Sequence, residues 1–320
     1  MKPRIYSMDD QRPYDILTFG DMCVDLIVSG GDVVPRFGQA EQLVERYELE
    51  MGGSNCLFAC QAARLGLKVA VLGRVGDDDF GRLAVRRLEE NGVEALIDVD
   101  PGLKTGLGIA LCREDDRAIL TYVGSIGALR PEDVSERLLA SARHLHFGSF
   151  FLHTGLRSHA PVLLQQAHAL GLTTSIDPNW DPEERWNSTL AQALAHADLV
   201  FPNEQEALHI AGCGEVEQAA AWFQAQGVPL VAVKRGAEGA WAYAGGQRYA
   251  CSLPPAPTGG DGVGAGDSFD AGFLGGWLRG RSIQECLEIG CRCGRAVASA
   301  AGGLRGQPTW AEVAPPPNHS

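Results

Sequence analysis

Apolar positions along this chain fall into two rhythms. Short runs with little polar interruption read as buried strands, at residues 15–20, 24–28, 69–73, 144–147, 173–176, 199–201 and 230–234. Between them, apolar positions recur at helical spacing over residues 56–65, 80–90, 131–142, 156–170, 183–195, 203–211, 216–226, 266–280 and 282–301. Gly66 closes the first of these helices, and Asn91-Gly92 stops the second. Strands alternating with helices predict an α/β protein on a mostly parallel sheet.

Two stretches break that rhythm. Val44-Glu45-Arg46-Tyr47-Glu48-Leu49-Glu50 alternates as a strand with one wet face. Residues 105–112 and 118–123 flank a charged turn and read as a hairpin. These half-wet segments predict a small sheet standing off the body. The chain then divides into a body of residues 14–28, 52–104 and 125–310, a small sheet of residues 29–51 and 105–124, and flexible ends at 1–13 and 311–320. Residues 239–249 predict one more hairpin.

Composition narrows the classes. The 320 residues are 45% hydrophobic and 21% charged, an ordinary globular balance that supports a large core. Net charge is −13 and the Lys and Arg residues are scattered, which speaks against nucleic acid as a partner. There is no signal-peptide core and no apolar run of about 18 or more, so neither export nor a membrane span is expected. Nine cysteines in irregular spacing fit neither a disulfide framework nor a zinc site, and imply free thiols in a reducing cytoplasm.

Candidate chemistry gathers at the carboxyl ends of the predicted strands, where open parallel sheets bind ligands. Gly259-Gly260-Asp261-Gly262-Val263-Gly264-Ala265-Gly266-Asp267 leads into an apolar helix. A glycine-dense loop before a helix start offers backbone N–H groups and a positive dipole end to an anion, phosphate being the usual one. A carboxylate there would repel phosphate, so Asp267 reads as a base that takes a proton from an attacking hydroxyl. The alternative is a plain helix cap. Asn203 and Glu206 share a face at a helix start, suited to magnesium held through water, or to an N-cap with a first-turn Glu. Lys234 ends a strand and faces either phosphate or solvent. Arg74 reaches either a substrate oxygen or the carboxylates of Asp77, Asp78 and Asp79. Trp180 reads as core, and Asp25 as either a ligand or an exposed strand carboxylate.

These residues resemble the ribokinase family, the PfkB carbohydrate kinases, over about residues 14–309. Asp261-Gly262-Val263-Gly264-Ala265-Gly266-Asp267 followed by Ala271-Gly272-Phe273 is similar to the family's D-T-x-G-A-G-D signature. Gly52-Gly53-Ser54-Asn55, Ala62-Ala63-Arg64-Leu65-Gly66 and residues 73–81 resemble its first signature. Asn203-Glu204-Gln205-Glu206 resembles its N-x-x-E motif, and Lys234-Arg235-Gly236-Ala237-Glu238-Gly239 its nucleotide-side strand end.

The resemblance implies a three-layer ribokinase-like fold with a β-sheet lid, and an ATP-dependent kinase of a small sugar or sugar acid. Asp267 would be the base, and the N–H groups of Gly264, Ala265 and Gly266 the anion hole. Asp25, Gly52, Gly53, Asn55 and Arg74 would hold the sugar. Asn203, Lys234, Gly236, Gly239, Gly264 and Gly266 would face ATP. Glu206 and Asn203 would organise Mg2+, and the turn at Asp261 and Val263 raises K+ as a further ion. The lid would also join two copies into a homodimer. Cys23 and the short Gly-Gly-Ser-Asn spacing depart from ribokinases on the sugar side, so the resemblance implies a sugar class and not ribose. A nucleoside kinase of the same family, and a silent sugar-binding regulatory protein, are the rival readings.

Overall fold

The structure, a computed structural model, describes residues 12–113, 116–186, 189–254, 260, 262–300 and 302–314. The strands are β1 (Tyr14–Phe19), β2 (Cys23–Ser29), β3 (Arg46–Gly52), β4 (Val69–Gly76), β5 (Glu94–Asp100), β6 (Gly106–Arg113), β7 (Asp116–Tyr122), β8 (Ala142–Phe147), β9 (Thr173–Ile176), β10 (Leu199–Val200), β11 (Leu230–Lys234), β12 (Ala240–Ala244) and β13 (Gln247–Cys251). The helices are α1 (Ser54–Arg64), α2 (Asp79–Glu90), α3 (Glu136–Leu139), α4 (Ala160–Ala169), α5 (Leu190–Leu194), α6 (Glu204–Ala211), α7 (Val216–Ala225), α8 (Ala265–Trp277), α9 (Ile283–Ala298) and α10 (Trp310–Val313). Among the described residues, the large sheet runs β13-β12-β11-β10-β9-β8-β1-β4-β5, and the small sheet runs β3-β2-β6-β7. The large sheet is parallel from β11 to β5, with β12 and β13 antiparallel at one edge.

The body has three layers because its central strands are apolar on both faces. Leu17, Phe19, Val231 and Val233 pack toward α4, α5, α6 and α7 through Leu163, Leu194, Ala207 and Phe223. Ile16, Leu230 and Ala232 face the opposite way, toward α1, α2, α8 and α9 through Phe58, Leu88, Phe273 and Leu287. β9 carries Thr173 and Ser175 into this core, and the histidines of β8 satisfy them. His144 bonds Thr173 Oγ1 at 2.8 Å and Ser175 Oγ at 2.7 Å, and His146 Nδ1 bonds Ser175 Oγ at 2.7 Å. Burial pushes both imidazoles down to about 3, so they stay neutral.

In the small sheet, residues paired across strands share a face. One face carries Asp25, Ile27, Glu48, Glu50, Gly108 and Ala110. It is tied to the body by Glu50 with Arg87 of α2 (2.7 Å) and Glu48 with Arg305 (2.8 Å). The opposite face carries Leu26, Val28, Tyr47, Leu49, Ile109, Leu120 and Tyr122.

Four expectations change here. Residues 23–28, assigned above to the body, pair with β3 and β6 and belong to the small sheet. β5 was missed, because Glu94–Asp100 is an edge strand whose alternation is half wet. The helix expected over 183–195 shrinks to Leu190–Leu194. Its first turn is captured by Asp181, whose carboxylate accepts the N–H groups of Glu183, Arg185 and Trp186. Residues 131–142 likewise form a 3-10 turn and one short helix. Of the ends expected to be flexible, 1–13 and 311–320, residues 1–11 and 315–320 lie outside the described residues, whereas residues 311–313 belong to α10 and Val313 is buried.

Candidate active site

The start of α8 is the centre of the candidate site. Its N-cap is Gly264 at φ 74°, in the left-handed region that favours glycine. The first bond inside the helix is from Ser268 N–H to Gly264 O, at 2.9 Å. Ala265 N–H makes only a long turn bond of 3.4 Å to Gly262 O. The N–H groups of the first turn are thus the helix's orphan donors, an anion-binding arrangement. Asp267 is the third residue of the helix and not its cap, which removes the plain-cap alternative. Its carboxyl is 8% exposed and pushed up to about 7. Burial is the largest cause, Asp177 and Asp21 add to it, and Lys234 and the Ser54 hydroxyl oppose it. A buried carboxylate with that proton affinity suits general-base work near neutral pH.

Beside this turn lies a buried charge cluster assembled from two strand ends and α8 itself. Lys234 Nζ donates to Asp177 at 2.7 Å and to Asp270 at 3.2 Å. Its side chain is 12% exposed, against 2% and 1% for the two acids. A Cβ at Gly266 would lie 3.6 Å from the ammonium, so the cation packs against the first turn of α8. Burial would lower Lys234, but Asp177, Asp270 and Glu206 hold it raised and charged. Burial would raise Asp177, but Lys234 and a hydrogen bond from Asp270 hold it below its ordinary value. Burial drives Asp270 well up, so it carries the proton of that shared bond. Lys234, expected at the nucleotide, is therefore engaged by two acids.

Asn203 caps α6 and forms a capping box with Glu206, at 2.8 and 2.9 Å. Glu206 is 5% exposed and pushed up to about 8 by burial and by Asp177. Among the described residues no three His, Cys, Asp or Glu side chains group closely enough to hold a metal alone. Glu206 and Asn203 could therefore hold a hard divalent cation only through water, with phosphate oxygens supplying further ligands.

On the acceptor side, Asp25 lies across two glycines. A Cβ at Gly52 would come within 2.3 Å of its carboxylate, and one at Gly108 within 2.4 Å. Gly53, at φ 87°, is glycine because a Cβ would meet Asp21 O at 2.4 Å. Asn55 is buried, and its Oδ1 accepts from Thr18 Oγ1 (2.8 Å) and from Gly148 N–H (3.1 Å). Arg74 was expected at a substrate oxygen or on Asp77, Asp78 and Asp79, and its guanidinium is engaged by other acids. Its Nη2 donates to Asp133 at 2.8 Å, with Asp100 at 3.7 Å and Asp98 at 3.8 Å. Asp77, Asp78 and Asp79 are not its partners. Gly239 is explained by backbone packing, since a Cβ would meet Cys251 O at 2.0 Å, whereas Gly236 opens onto free space. Asp261 lies outside the described residues, while Val263 lies in the turn before Gly264. Trp180 is 42% exposed and packs on Trp186 and His209 rather than in the core.

Four residues of the site were not singled out from the sequence: Asp21, Ser54, Ser149 and Asn179. Ser149 holds φ of 47°, unusual for serine, and Asn179 φ of 54°, in the left-handed region that asparagine tolerates. Asp177-Pro178-Asn179 at a strand end was the available signal.

The family model described as pfkB family carbohydrate kinase matches residues 14–310. An ATP-dependent ribose-1-phosphate kinase of Halopiger xanaduensis is 33% identical, covering 82% of this chain and 85% of that one. A 5-dehydro-2-deoxygluconokinase of Geobacillus thermodenitrificans is 27% identical, covering 97% of this chain and 94% of its own length. Among solved structures, a PfkB protein from Polaromonas sp. is similar with TM-score 0.77 at 27% identity, over 93% of this chain and 98% of that one. A candidate ribokinase II from E. coli, in complex with ATP and magnesium, is similar with TM-score 0.81 at 25% identity, over 94% and 97%.

Proposed function

Because the chain belongs to the pfkB family of carbohydrate kinases and is a sugar kinase that uses ATP, we propose that it phosphorylates a hydroxyl of a small sugar or sugar acid with Asp267 as the base. The observation that carries this is the buried Asp267 at the third position of α8, beside the first-turn N–H groups. Asp267 takes the proton of the acceptor hydroxyl as that oxygen bonds to the terminal phosphorus and the bond to ADP breaks. The N–H groups of Gly264, Ala265 and Gly266 face the charge that develops on the transferred group. Lys234 packs against that turn and lowers the proton affinity of the base. Magnesium, when bound, supplies screening of the phosphate charge, and Glu206 and Asn203 would hold it through water. Asp25, Gly52, Gly53 and Asn55 shape the acceptor pocket, and the small sheet closes over it as a lid that excludes water. The same reading places the protein in the cytoplasm, where its free cysteines stay reduced.

A coupled ATP-consumption assay over neutral sugars, sugar acids, sugar phosphates and nucleosides tests this. Magnesium-dependent turnover of a sugar or sugar acid is expected. Turnover confined to nucleosides would favour the nucleoside reading, and nucleotide binding with no turnover would favour a silent protein. Running the panel with and without K+ tests the turn at residues 261–263.

The lid's outer face supports a homodimer. Tyr47 is 72% exposed, Leu120 60%, Tyr122 55% and Leu49 42%, on one continuous sheet face. Tyr47→Asp with Leu120→Asp is expected to turn a dimer into a monomer by light scattering. A wild-type protein that stays monomeric at high concentration sinks the proposal.

A further inference from the structure

Two acids of the small sheet stand side by side and are held in different ways. Asp25 of β2 and Glu50 of β3 are cross-strand partners in the antiparallel register, so their side chains leave the same face. Carboxylates directly opposite one another repel. Asp25 has its place cleared by two glycines, since a Cβ at Gly52 or at Gly108 would run into its carboxylate. Glu50 is committed to the body of the molecule. Its Oε1 accepts from Arg87 Nε at 2.7 Å and its Oε2 from Arg87 Nη2 at 3.1 Å, a two-pronged contact that fixes a carboxylate in direction as well as in charge. Oε1 also accepts the N–H of Met51 at 2.9 Å. Arg87 is held in turn, because its Nη1 donates to Glu90 Oε2 at 2.8 Å, one turn further along α2. This pair is more sheltered from water than the pair of Glu48 with Arg305 on the same face, so solvent screens it less.

We propose that Arg87 is a positioning residue of the acceptor pocket: by engaging Glu50 it holds that acid off Asp25 and so fixes the carboxylate that meets the sugar. The inference rests on the reading of Asp25 as an acceptor ligand. Arg87 itself touches no substrate and acts through Glu50. Without the guanidinium, two negative charges stand at cross-strand distance on one half-buried face. Asp25 is then pushed from the position between Gly52 and Gly108, and its grip on a sugar hydroxyl weakens. The phosphate side at the start of α8 lies on a different element and is left as it was. The same contact also seats β3 on α2, so charge and packing have to be told apart by experiment.

The test is steady-state kinetics on a square of variants, with the best sugar from the panel and ATP varied separately. Arg87→Ala is expected to raise KM for the sugar about three- to tenfold and to leave KM for ATP within about twofold of the parent. Glu50→Gln removes the second acid and is expected to keep the sugar KM within about twofold of the parent. In that background Arg87→Ala is expected to add less than about twofold, because the charge it balanced is gone. Arg87→Lys keeps the charge without the fork and is expected to fall between the parent and Arg87→Ala. A rise in KM for sugar and ATP alike, no rise in either, or the same rise with Glu50→Gln as without it overturns the proposal and leaves Arg87 a packing residue of the small sheet. If Arg87→Ala does not fold, Arg87→Gln, which keeps most of the stem, is read in the same way. Asp25→Asn separates the two levels. An unchanged sugar KM in Asp25→Asn removes Asp25 from the pocket, and the positioning role falls with it. A raised sugar KM in Asp25→Asn beside an unmoved one in Arg87→Ala removes the positioning role alone.

Discussion

Asp267→Asn is expected to fold as the parent does and to lose roughly 10²–10⁴-fold in turnover, the usual loss when a general base is removed. Asparagine has the same shape and keeps an oxygen toward Ser54, so packing changes little. Its effect on stability has a defined sign. The folded carboxyl is raised from 3.8 to about 7. A raised acid favours the fold below its unfolded value and loses that advantage as pH rises through its folded value. The parent is therefore penalised by this group increasingly from pH 3.8 to about 7 and fully above that, and the variant is not. Thermal scans should show the variant equal to the parent in acid and more stable at neutral pH, by a few kcal/mol at most. Near-parental turnover with the best substrate removes Asp267 as the base. A variant less stable than the parent at neutral pH contradicts the account of its burial.

Much of the fold was legible because its central strands and long helices carry undiluted periodicity. Val231 and Val233 pack to one side of β11 and Leu230 and Ala232 to the other, so the strand reads apolar throughout. The misreadings lie where another interaction overrides the pattern. Residues 183–186 have helical composition, yet Asp181 collects three N–H groups that a helix would need. Cys23–Ser29 looks like a second body strand because its apolar residues fill both faces of a two-sided small sheet. The pairing that moves it there is with Gly106–Arg113, far along the chain, and no local pattern records it.

The site divides in the same way. Gly264-Ala265-Gly266-Asp267 was readable because loop and helix start are contiguous, and the physics of an anion site needs only those residues. Residues brought together from separate strand ends were not. Lys234 has one charge and two acid partners, Asp177 and Asp270, at distances in sequence that give no hint of contact. Arg74 has the right residue type at a strand end, but three carboxylates from β5 and the turn after the lid take its guanidinium. Asn203 and Glu206 were open between a metal role and a capping box. The box is formed, and it leaves a buried acid beside Asp177 and Lys234.

Lys234→Met is expected to be the most destabilising single change at this site, by about 3–5 kcal/mol at neutral pH, because it removes one partner of a buried ion pair and leaves the other. Methionine fills the space of the lysine stem, so the loss reports charge and not a cavity. In the parent, burial raises Asp177 and Lys234 more than compensates, holding it below 3.8. A depressed acid contributes stability above its unfolded value and loses it as pH falls through its folded value. In the variant the largest opposition to burial is gone, leaving Asp270 and His146, and Asp177 moves up. The difference between parent and variant should narrow as pH falls from neutral toward 3.8, in denaturant unfolding curves at matched ionic strength. Asp270→Asn by itself should cost less, since Asp270 already carries the shared proton and an amide can replace it. Activity follows the same electrostatics. Lys234 lowers the proton affinity of Asp267, so its removal should push the acidic limb of the surviving activity to higher pH. A Lys234→Met protein as stable as the parent at neutral pH, or one whose deficit grows in acid, would mean that the ammonium is not the counter-charge of this cluster.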